Sequence, residues 1–506
     1  MKAGRREWIG LGVLALPCLL YSMDLTVLYM AVPKLSADLH PSGTQLLWIT
    51  DIYGFMLAGL LLTMGSVGDR IGRSRLLLIG ALAFGAASLF AGFSTSAEML
   101  IVARALLGIA GATLAPSTLS LLRGMFADEG QRTFAIGVWI ASFSLGAAIG
   151  PLVGGALLEH FWWGSVFLVA VPVMLLLLLL GPHLLPEQRD PAAAKFDLRS
   201  AALSLLGLLG LIFGLKEIAR SGLEPAAASS LLIGLAAGMA FVRRQHALPD
   251  PLLDLRLFRS GAFSSALGSM LAAVFVVDGT FLFLSQYLQL IDGKAPLTAA
   301  LWLLPATGGL VVGSMLAPLL TRRIAAAHVL IAGLLAAAAG VALLTRIEPG
   351  HSLVPLVAGS LVMGIGSGVV GTLATNFVVG TAPPQRAGAA SALSETGAEL
   401  GGALGIALLG SLGLAVYRAQ IGDTLPSALT SNQEEAATRT LAEATSTSAQ
   451  LPQPLSGEVF RAAASAYTDS LQAVAGAAAA VTLLLALLAA LLLPRKNPMS
   501  ECGSPA

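Results

Sequence analysis

Residues 65–80 read Gly-Ser-Val-Gly-Asp-Arg-Ile-Gly-Arg-Ser-Arg-Leu-Leu-Leu-Ile-Gly, and residues 318–333 read Pro-Leu-Leu-Thr-Arg-Arg-Ile-Ala-Ala-Ala-His-Val-Leu-Ile-Ala-Gly. The second stretch echoes the first at an offset of 253 residues, with identities that include Arg70 and Arg323, Ile71 and Ile324, and Gly80 and Gly333. Each copy joins the second and third apolar runs of a set of six. The echo therefore predicts that the chain contains two related halves.

The composition around these stretches is that of a membrane protein. The chain has 506 residues, of which 56% are hydrophobic and 11% charged, and its mean hydropathy is +0.82. A soluble domain carries about 25% charged residues. The apolar runs are continuous and helix-length, as in 163–180 and 471–493, whereas barrel strands alternate apolar and polar residues. We expect an all-α integral membrane protein.

A membrane span needs about 20 apolar residues, and the sequence predicts fourteen such spans: 8–31, 45–66, 76–94, 99–122, 134–157, 163–182, 198–217, 227–242, 262–287, 298–320, 327–345, 353–378, 389–416 and 471–493. With both termini in the cytoplasm, 20 of the 29 lysines and arginines fall in cytoplasmic segments. The positive-inside rule thus favours this topology.

The spans and the echo together predict the domain organisation. We expect a six-helix half at 1–182, two inserted helices with their linkers at 183–261, a second six-helix half at 262–493, and a cytoplasmic tail at 494–506. Duplicated halves around a midplane site are typical of secondary transporters. The polar connection 417–470 is either a small helical cap or a solvated loop on the outside of the membrane.

Several classes of protein and energy source are disfavoured. The chain contains no Gly-x-x-x-x-Gly-Lys-[Ser/Thr] sequence, the loop that cradles phosphates, so an ion gradient is the expected energy source. We expect no enzymatic activity, no cofactor and no metal site. A net charge of +1 gives no sign of nucleic-acid binding. None of the six histidines lies well inside a predicted span, so a proton path would have to use carboxyl groups.

Five acids and a single cation interrupt the apolar spans: Asp24, Asp51, Asp278, Glu395, Glu399 and Arg104. A charged side chain at the centre of a membrane helix costs at least about 2.5–3.5 kcal/mol. Such residues persist where they face a cavity, a partner or a proton path. The excess of negative charge favours a cationic substrate.

Glu395 and Glu399 are four residues apart and so share one helix face. Two carboxylates on one face of a dry helix repel each other, which favours proton uptake by at least one of them. Such a carboxyl group can alternate between a proton and a cation. The alternative is that both glutamates merely pair with an arginine of a neighbouring span, although Arg104 alone could not neutralise both.

Four segments resemble motifs of one transporter family. The stretch 65–75, with Gly65, Asp69, Arg70, Gly72 and Arg73, is similar to the signature loop of the major facilitator superfamily; alone, it could be a plain positive-inside loop. Residues 23–33, 104–111 and 146–155 resemble motifs of its fourteen-span drug:proton antiporters, and the whole chain most resembles Qac-type exporters of quaternary ammonium compounds and their methyl-viologen-exporting relatives. Tyr29 stands where many members carry asparagine.

The resemblance implies roles for particular residues. In the family, the arginine that corresponds to Arg104 is implicated in proton coupling. The resemblance also implies that Gly150 and Pro151 kink the fifth span. It further implies that the stretch 394–399 carries acidic residues for drug and proton. Asp278 has no counterpart in these relatives and is a candidate for substrate specificity. An acid that some relatives carry in the tenth span is missing here, where residues 308–313 read Gly-Gly-Leu-Val-Val-Gly.

Two of the acids and several aromatic residues have alternative interpretations. Asp24 is either a functional carboxylate or a structural hydrogen-bond acceptor, and Asp51 either contacts substrate or caps the outer end of its span. Lipophilic cations are bound by carboxylate charge together with aromatic faces. The candidate aromatic contacts are Trp48, Tyr53, Phe55, Trp139, Phe143 and Trp302, for each of which the alternative is a place at the membrane interface or facing lipid.

These observations predict a monomeric, proton-coupled exporter of lipophilic organic cations in a bacterial cytoplasmic membrane. One alternative is an exporter of another substrate class, such as an antibiotic, a lipid or a siderophore. The other is a membrane receptor or sensor without transport activity, which the lack of any sizeable soluble domain disfavours.

Overall fold

A backbone that crosses a membrane must satisfy its own hydrogen bonds, and continuous apolar runs do so as helices. The computed structural model of the protein describes residues 3–41, 43–187, 197–221, 224–248, 251, 253, 255–294, 296–350, 352–381, 387–422 and 424–492. The helices are α1 Arg5–Leu39, α2 Gly43–Ile71, α3 Arg73–Gly92, α4 Ala97–Met125, α5 Glu129–His160, α6 Ser165–Leu168, α7 Ala170–Leu184, α8 Leu198–Ser221, α9 Pro225–Ala247, α10 Gly261–Gln286, α11 Pro296–Leu320, α12 Ala326–Leu344, α13 Val354–Thr381, α14 Ala387–Leu404, α15 Gly410–Gly422, α16 Ser431–Arg439, α17 Leu441–Ala449 and α18 Leu455–Leu492. A 3₁₀ turn at Leu255–Arg259 precedes α10, and π-helical turns at Tyr287–Ile291 and Gly405–Leu409 extend α10 and join α14 to α15.

The described helices confirm the all-α membrane class and the order of the predicted spans. Twelve of them are long and apolar enough to cross a membrane, and α2 makes thirteen if its two parts, Ile52–Leu61 and Thr63–Ile71, count as one span bent by 55°. Within α8 the apolar stretch Arg199–Leu215 is shorter. The total of fourteen spans therefore stays a prediction, as do the boundaries of the two halves.

Several helices extend beyond their predicted bounds, most of all around the connection 417–470. The helix α15 continues to Gly422, and α18 already begins at Leu455. Between them, α16 and α17 form a small helical cap. It is held by a hydrogen bond from the Tyr417 hydroxyl to the Ala437 carbonyl, 3.0 Å long, and by burial of Leu441. Of the two interpretations of this connection, the structure has the helical cap. The predicted tail 494–506 lies outside the described residues.

Glycines allow α5 to lie directly against α1. Small residues are what let helices approach closely in lipid, where the hydrophobic effect does not drive helices together. A methyl group added at Gly146 would overlap the Leu19 carbonyl oxygen, and one at Gly154 would lie 2.7 Å from the Val27 side chain. The α5 helix is continuous from Glu129 to His160, through the Gly-Pro pair at 150–151; the kink expected there stays a prediction.

The same arrangement recurs between α14 and α10. Methyl groups at Gly401 and Gly405 would overlap the carbonyl oxygens of Leu271 and Phe275. Both α1 and α10 are the first helix of a predicted half, and both α5 and α14 are the fifth helix of one. The two helix pairs are therefore equivalent in packing as well as in order, as expected for related halves.

The loop between α2 and α3 is tightly built. Arg73 donates to Asp69 Oδ1 from Nε at 3.0 Å and from a terminal guanidinium nitrogen at 2.8 Å. Gly72 has a φ of 107°, which L side chains rarely adopt, and a methyl group there would overlap the Glu187 carboxylate. The conformation thus requires the glycine, whereas the flexible Glu187 side chain could turn away from an added methyl group. We call the end of the bundle that carries this loop the Arg73 end.

Hydrogen bonds close the bundle at the Arg73 end. The Arg132 guanidinium donates to Asn376 Oδ1 at 3.0 Å, and the Asn376 amide donates to Thr133 Oγ1 at 3.3 Å. Arg123 donates to the Gly380 carbonyl at 3.2 Å. These contacts join α4 and α5 to α13, that is, helices of the two predicted halves.

The inserted helices form a hairpin that touches both predicted halves. Glycines at 207, 210 and 234 bring α8 and α9 into close contact. On its other side, Ile212 of α8 lies in an apolar cluster with Phe55 and Ala58 of α2 and with Ala403 of α14. The hairpin is fixed at one end by Asp197, which accepts from Arg244 Nε and from a second guanidinium nitrogen, both at 3.0 Å.

The ion pair of Asp197 predicts a pH-dependent contribution to stability. The Arg244 hydrogen bonds lower the pKa of Asp197 from 3.8 to about 2. A lowered folded-state pKa stabilises the fold above the unfolded pKa, and this contribution is lost as the pH falls through about 4 to 2. We expect Asp197→Asn to lower the melting temperature in detergent at pH 7, with the difference from the parent shrinking between pH 5 and pH 3.

Asp128→Asn is the matched control. Asp128 also caps a helix, by accepting from the Gln131 amide at 2.9 Å, but it forms no ion pair with the described residues. Asparagine caps helices as well as aspartate does. An equal effect of the two substitutions, or a difference independent of pH, would contradict the prediction.

Candidate functional site

Asp24 and Arg104 form an ion pair in the interior of the bundle. The Arg104 side chain is fully buried and Asp24 is 8% exposed, and the guanidinium donates to Asp24 Oδ2. Arg104 Nε also donates to the Ile49 carbonyl at 3.1 Å. The guanidinium lies 4.7 Å from the centre of the Tyr53 ring, a cation–π contact.

The glycines that follow Arg104 in the sequence explain why its side chain lies between α4 and α2. Residues four and seven positions apart lie on one helix face, and Gly108 and Gly111 follow Arg104 at these spacings. A methyl group at Gly108 would lie 2.5 Å from the Tyr53 carbonyl oxygen, and one at Gly111 would lie 3.4 Å from the Tyr53 hydroxyl. The face of α4 that carries the arginine therefore lies against α2.

The carboxyl groups of Glu395, Glu399 and Asp278 form a second group, between α14 and α10. Asp278 lies against Gly402, where a methyl group would overlap its carboxylate, and Gly402 follows Glu399 on the same helix face. Glu395 lies four residues before Glu399 on α14, on the same face of the helix. We call these three residues the carboxyl cluster.

Two members of the carboxyl cluster lack partners. Glu395 is only 7% exposed, yet neither it nor Asp278 forms a hydrogen bond or an ion pair with the residues that the structure describes. Glu399 accepts a hydrogen bond of 3.2 Å from the Tyr21 hydroxyl. The expectation that the two glutamates share an inward face is consistent with their burial. The alternative, pairing with Arg104, is not what the described contacts show, because that arginine is paired with Asp24.

Aromatic rings connect the ion pair to the carboxyl cluster. Tyr21 meets Tyr53 and Phe143 edge-on, with ring centres 6.3 Å and 5.3 Å apart. Phe143 in turn contacts Trp139 at 4.6 Å, and the Trp139 indole donates to Thr118 Oγ1 at 3.0 Å. The result is an aromatic wall, Tyr21, Tyr53, Phe143 and Trp139, next to Glu399.

The remaining predicted residues lie elsewhere or are not described. Trp48 and Trp302 are 40% and 36% exposed and so lie at the surface of the bundle. Phe55 belongs to the apolar cluster with α8, and Gly65 is buried within α2. Asp69, Arg70, Gly72 and Arg73 lie in or beside the loop at the Arg73 end, and Gly150 faces α1. The side chains of Asp51 and Pro151 lie outside the described part of the structure.

Tyr21 is the residue of this site that the sequence reasoning missed. It precedes Asp24 by three positions, so the two lie on one side of α1, and this spacing could have singled it out. Its hydroxyl is the described link between α1 and the carboxyl cluster.

The site combines buried carboxyl groups with aromatic rings. In the described part of the chain, no three His, Cys, Asp or Glu side chains are close enough to hold a metal ion. Carboxylates beside aromatic faces can bind an organic cation. Unpaired carboxyl groups in a membrane interior can also take up protons.

Comparison with known proteins gives consistent results. A family model described as Major Facilitator Superfamily matches residues 14–406. The multidrug efflux pump LfrA of Mycolicibacterium smegmatis is 41% identical over 94% of both chains. The methyl viologen resistance protein SmvA of Salmonella typhimurium is 35% identical over 95% of this chain and 97% of its own, and a puromycin resistance protein of Streptomyces alboniger is 36% identical over 83% and 84%.

The fold also matches a solved structure. The human organic anion transporter TETRAN aligns with a TM-score of 0.62 over 96% of this chain and 99% of its own, at 17% identity. At this identity the likeness concerns the fold alone.

The close contact of α1 and α5 can be tested with one methyl group. We expect Gly146→Ala to force α1 away from α5, because the added carbon meets a backbone oxygen that cannot turn aside, and so to displace Asp24. Transport should fall about tenfold or more, since small misplacements of a site carry large costs. The assay is uptake of tetraphenylphosphonium into proteoliposomes.

Gly155→Ala is the control, because a methyl group there has no neighbour within 4 Å. It should transport like the parent. Equal activity of both variants would show that the contact does not position the site.

The ion pair can be tested by removing one charge or both. Breaking a buried pair on one side costs about 3–5 kcal/mol, because a buried charge loses its partner. We expect Asp24→Asn alone to destabilise the protein by that order in equilibrium unfolding with dodecyl sulfate. The double variant Asp24→Asn, Arg104→Gln should recover part of the loss. A double variant as unstable as the sum of both single variants would show that the two charges do not depend on each other.

Proposed function

The chain belongs to the Major Facilitator Superfamily, and we propose that it is a proton-coupled multidrug efflux antiporter that exports lipophilic organic cations. It is a multi-pass membrane protein whose relatives include bacterial efflux pumps. The coupling to protons and the cationic substrates are the parts of this proposal that go beyond family membership.

The observation that carries the proposal is the unpaired carboxyl group of Glu395. A buried acid without a hydrogen-bond partner or counter-ion among the described residues is costly as an anion. It is favoured in the bilayer interior when it holds a proton or faces a cation. Asp24 differs, because Arg104 already neutralises it. We propose that this ion pair takes part in proton coupling by breaking and re-forming.

The proposed exchange uses the carboxyl cluster and the aromatic wall together. A lipophilic cation approaches Glu399 and Asp278, contacts the ring faces of Tyr21 and Phe143, and displaces protons from the cluster. Release of the cation on the other side lets protons return to Glu395 and Glu399. Since a cation and a proton compete for the same carboxyl groups, the flow of one drives the other.

Alternating access follows from the arrangement of the two halves. The hydrogen bonds of Arg132, Asn376 and Arg123 close the Arg73 end, so this structure is one in which that end is shut. By the positive-inside rule the Arg73 end is cytoplasmic, in a bacterial inner membrane with both termini inside. We propose that one chain is the transporting unit, with protons and small cations as its partners.

A second candidate is an exporter of antibiotics that need not be permanent cations. It is favoured by the likeness to a puromycin resistance protein and, at 32% identity, to a tetracenomycin C resistance and export protein. The two candidates share the scaffold and differ in whether substrate recognition depends on the carboxyl cluster.

The proposal predicts cation uptake driven by a proton gradient. Purified protein in liposomes with an acidic interior should accumulate tetraphenylphosphonium, and an ionophore that dissipates the gradient should abolish this. We expect Glu395→Gln to reduce the coupled rate about tenfold or more, as loss of an essential group does. Asp278→Asn should mainly raise the KM.

The control is Glu435→Gln, on the cap, where the carboxylate is exposed and paired with Arg439 at 2.7 Å. Lack of gradient-driven accumulation in the parent would overturn the cation proposal. If the protein transports puromycin, and Glu395→Gln transports it as fast as the parent, the second candidate is favoured.

A further inference from the structure

The hydrogen bond between Tyr21 and Glu399 joins the two predicted halves near their middle. Its donor is on α1, the first helix of one half, and its acceptor is on α14, the fifth helix of the other. The distance is 3.2 Å. Unlike the contacts at the Arg73 end, this one ends on a residue of the carboxyl cluster.

Tyr21 is held firmly on its own side of this contact. Its side chain is 4% exposed, its ring packs edge-on against Tyr53 and Phe143, and its carbonyl accepts from the Tyr53 hydroxyl at 3.5 Å. Close packing of Gly146 against Leu19 fixes the same turn of α1. The Tyr21 hydroxyl therefore cannot follow Glu399 when α14 moves, and the hydrogen bond must break.

The strength of this hydrogen bond depends on what Glu399 holds. A hydroxyl donates more strongly to a carboxylate than to a neutral acceptor. A cation placed against the carboxylate, or a proton attached to it, weakens the acceptor. Occupancy of Glu399 thus weakens a contact between the halves, while an empty, ionised Glu399 strengthens it.

We propose that Tyr21 is a positioning residue that couples occupancy of Glu399 to separation of the two halves. The inference rests on the proposed function for the identity of the occupant, but the contact itself does not depend on it. In the empty protein the Tyr21 hydroxyl holds α14 against α1, and the arriving cation replaces that hydroxyl at Glu399. Tyrosine here makes the movement of the halves depend on the substrate.

The proposal predicts an effect of Tyr21→Phe in the absence of any substrate. Spin labels are attached at Asp128→Cys and Arg322→Cys in a background with Cys18→Ala and Cys502→Ser. Pulsed electron paramagnetic resonance then measures the distance between the two labels, one on each predicted half. Both labelled positions are exposed. We expect Tyr21→Phe to raise the fraction that is open at the Arg73 end about three- to tenfold, the range of a lost hydrogen bond.

A second measurement follows the substrate. Tetraphenylphosphonium should open the parent but change Tyr21→Phe little, and it should bind Tyr21→Phe about three- to tenfold more tightly, because no hydroxyl competes for Glu399. Glu399→Gln retains an acceptor for Tyr21 but has no charge. Its open fraction should lie between those of the parent and Tyr21→Phe, without a response to the cation.

Tyr467→Phe is the matched control. Its hydroxyl donates to the Phe283 carbonyl at 3.3 Å, which joins α18 to α10 within one predicted half. It should behave like the parent in both measurements. An open fraction in Tyr21→Phe equal to that of the parent and of Tyr467→Phe would overturn the proposal.

Failure of the proposed function gives a different result. If tetraphenylphosphonium neither binds nor opens the parent, the cation assignment fails, while the substrate-free comparison still decides whether Tyr21 holds the halves together.

Discussion

The ion pair of Asp24 and Arg104 determines the state of the other charges in the bundle interior. It uses the one arginine that the sequence places inside a predicted span, and both side chains are buried. Glu395 and Asp278 of the carboxyl cluster have no comparable counter-ion among the described residues. A neutral pair in one predicted half and two acids of the other, Glu395 and Asp278, that form no ion pair with the described residues make the interior electrostatically asymmetric. The helices that carry the two groups nevertheless pack in equivalent ways.

Packing explains how this asymmetry is tolerated. Equivalent glycine faces on α5 and α14 let α1 and α10 approach closely, and these contacts need no charged or polar side chain. The polar groups are therefore additions to a framework that holds without them. Proteins on one fold can differ in substrate by exchanging such groups.

Features that depend on a single helix can be predicted from the sequence, whereas contacts between two helices can hardly be. The order of the spans follows from apolar length, and the shared face of Glu395 and Glu399 follows from helix periodicity. The partner of Arg104 did not follow, because five acids were available and only packing selects Asp24. The contact of Tyr21 with Glu399 joins residues 378 apart in sequence, and no local pattern marks it. The sequence does not distinguish a helical cap from a solvated loop at 417–470, because the short helices of the cap are polar.

The inserted hairpin meets the two predicted halves in a different way from the rest of the bundle. The cluster of Ile212, Phe55, Ala58 and Ala403 is apolar, and apolar contact has no preferred direction. A surface of this kind can slide by a fraction of a helix turn without breaking a hydrogen bond. The α8–α9 hairpin therefore covers the contact of α2 with α14 through a surface that holds by shape and burial alone.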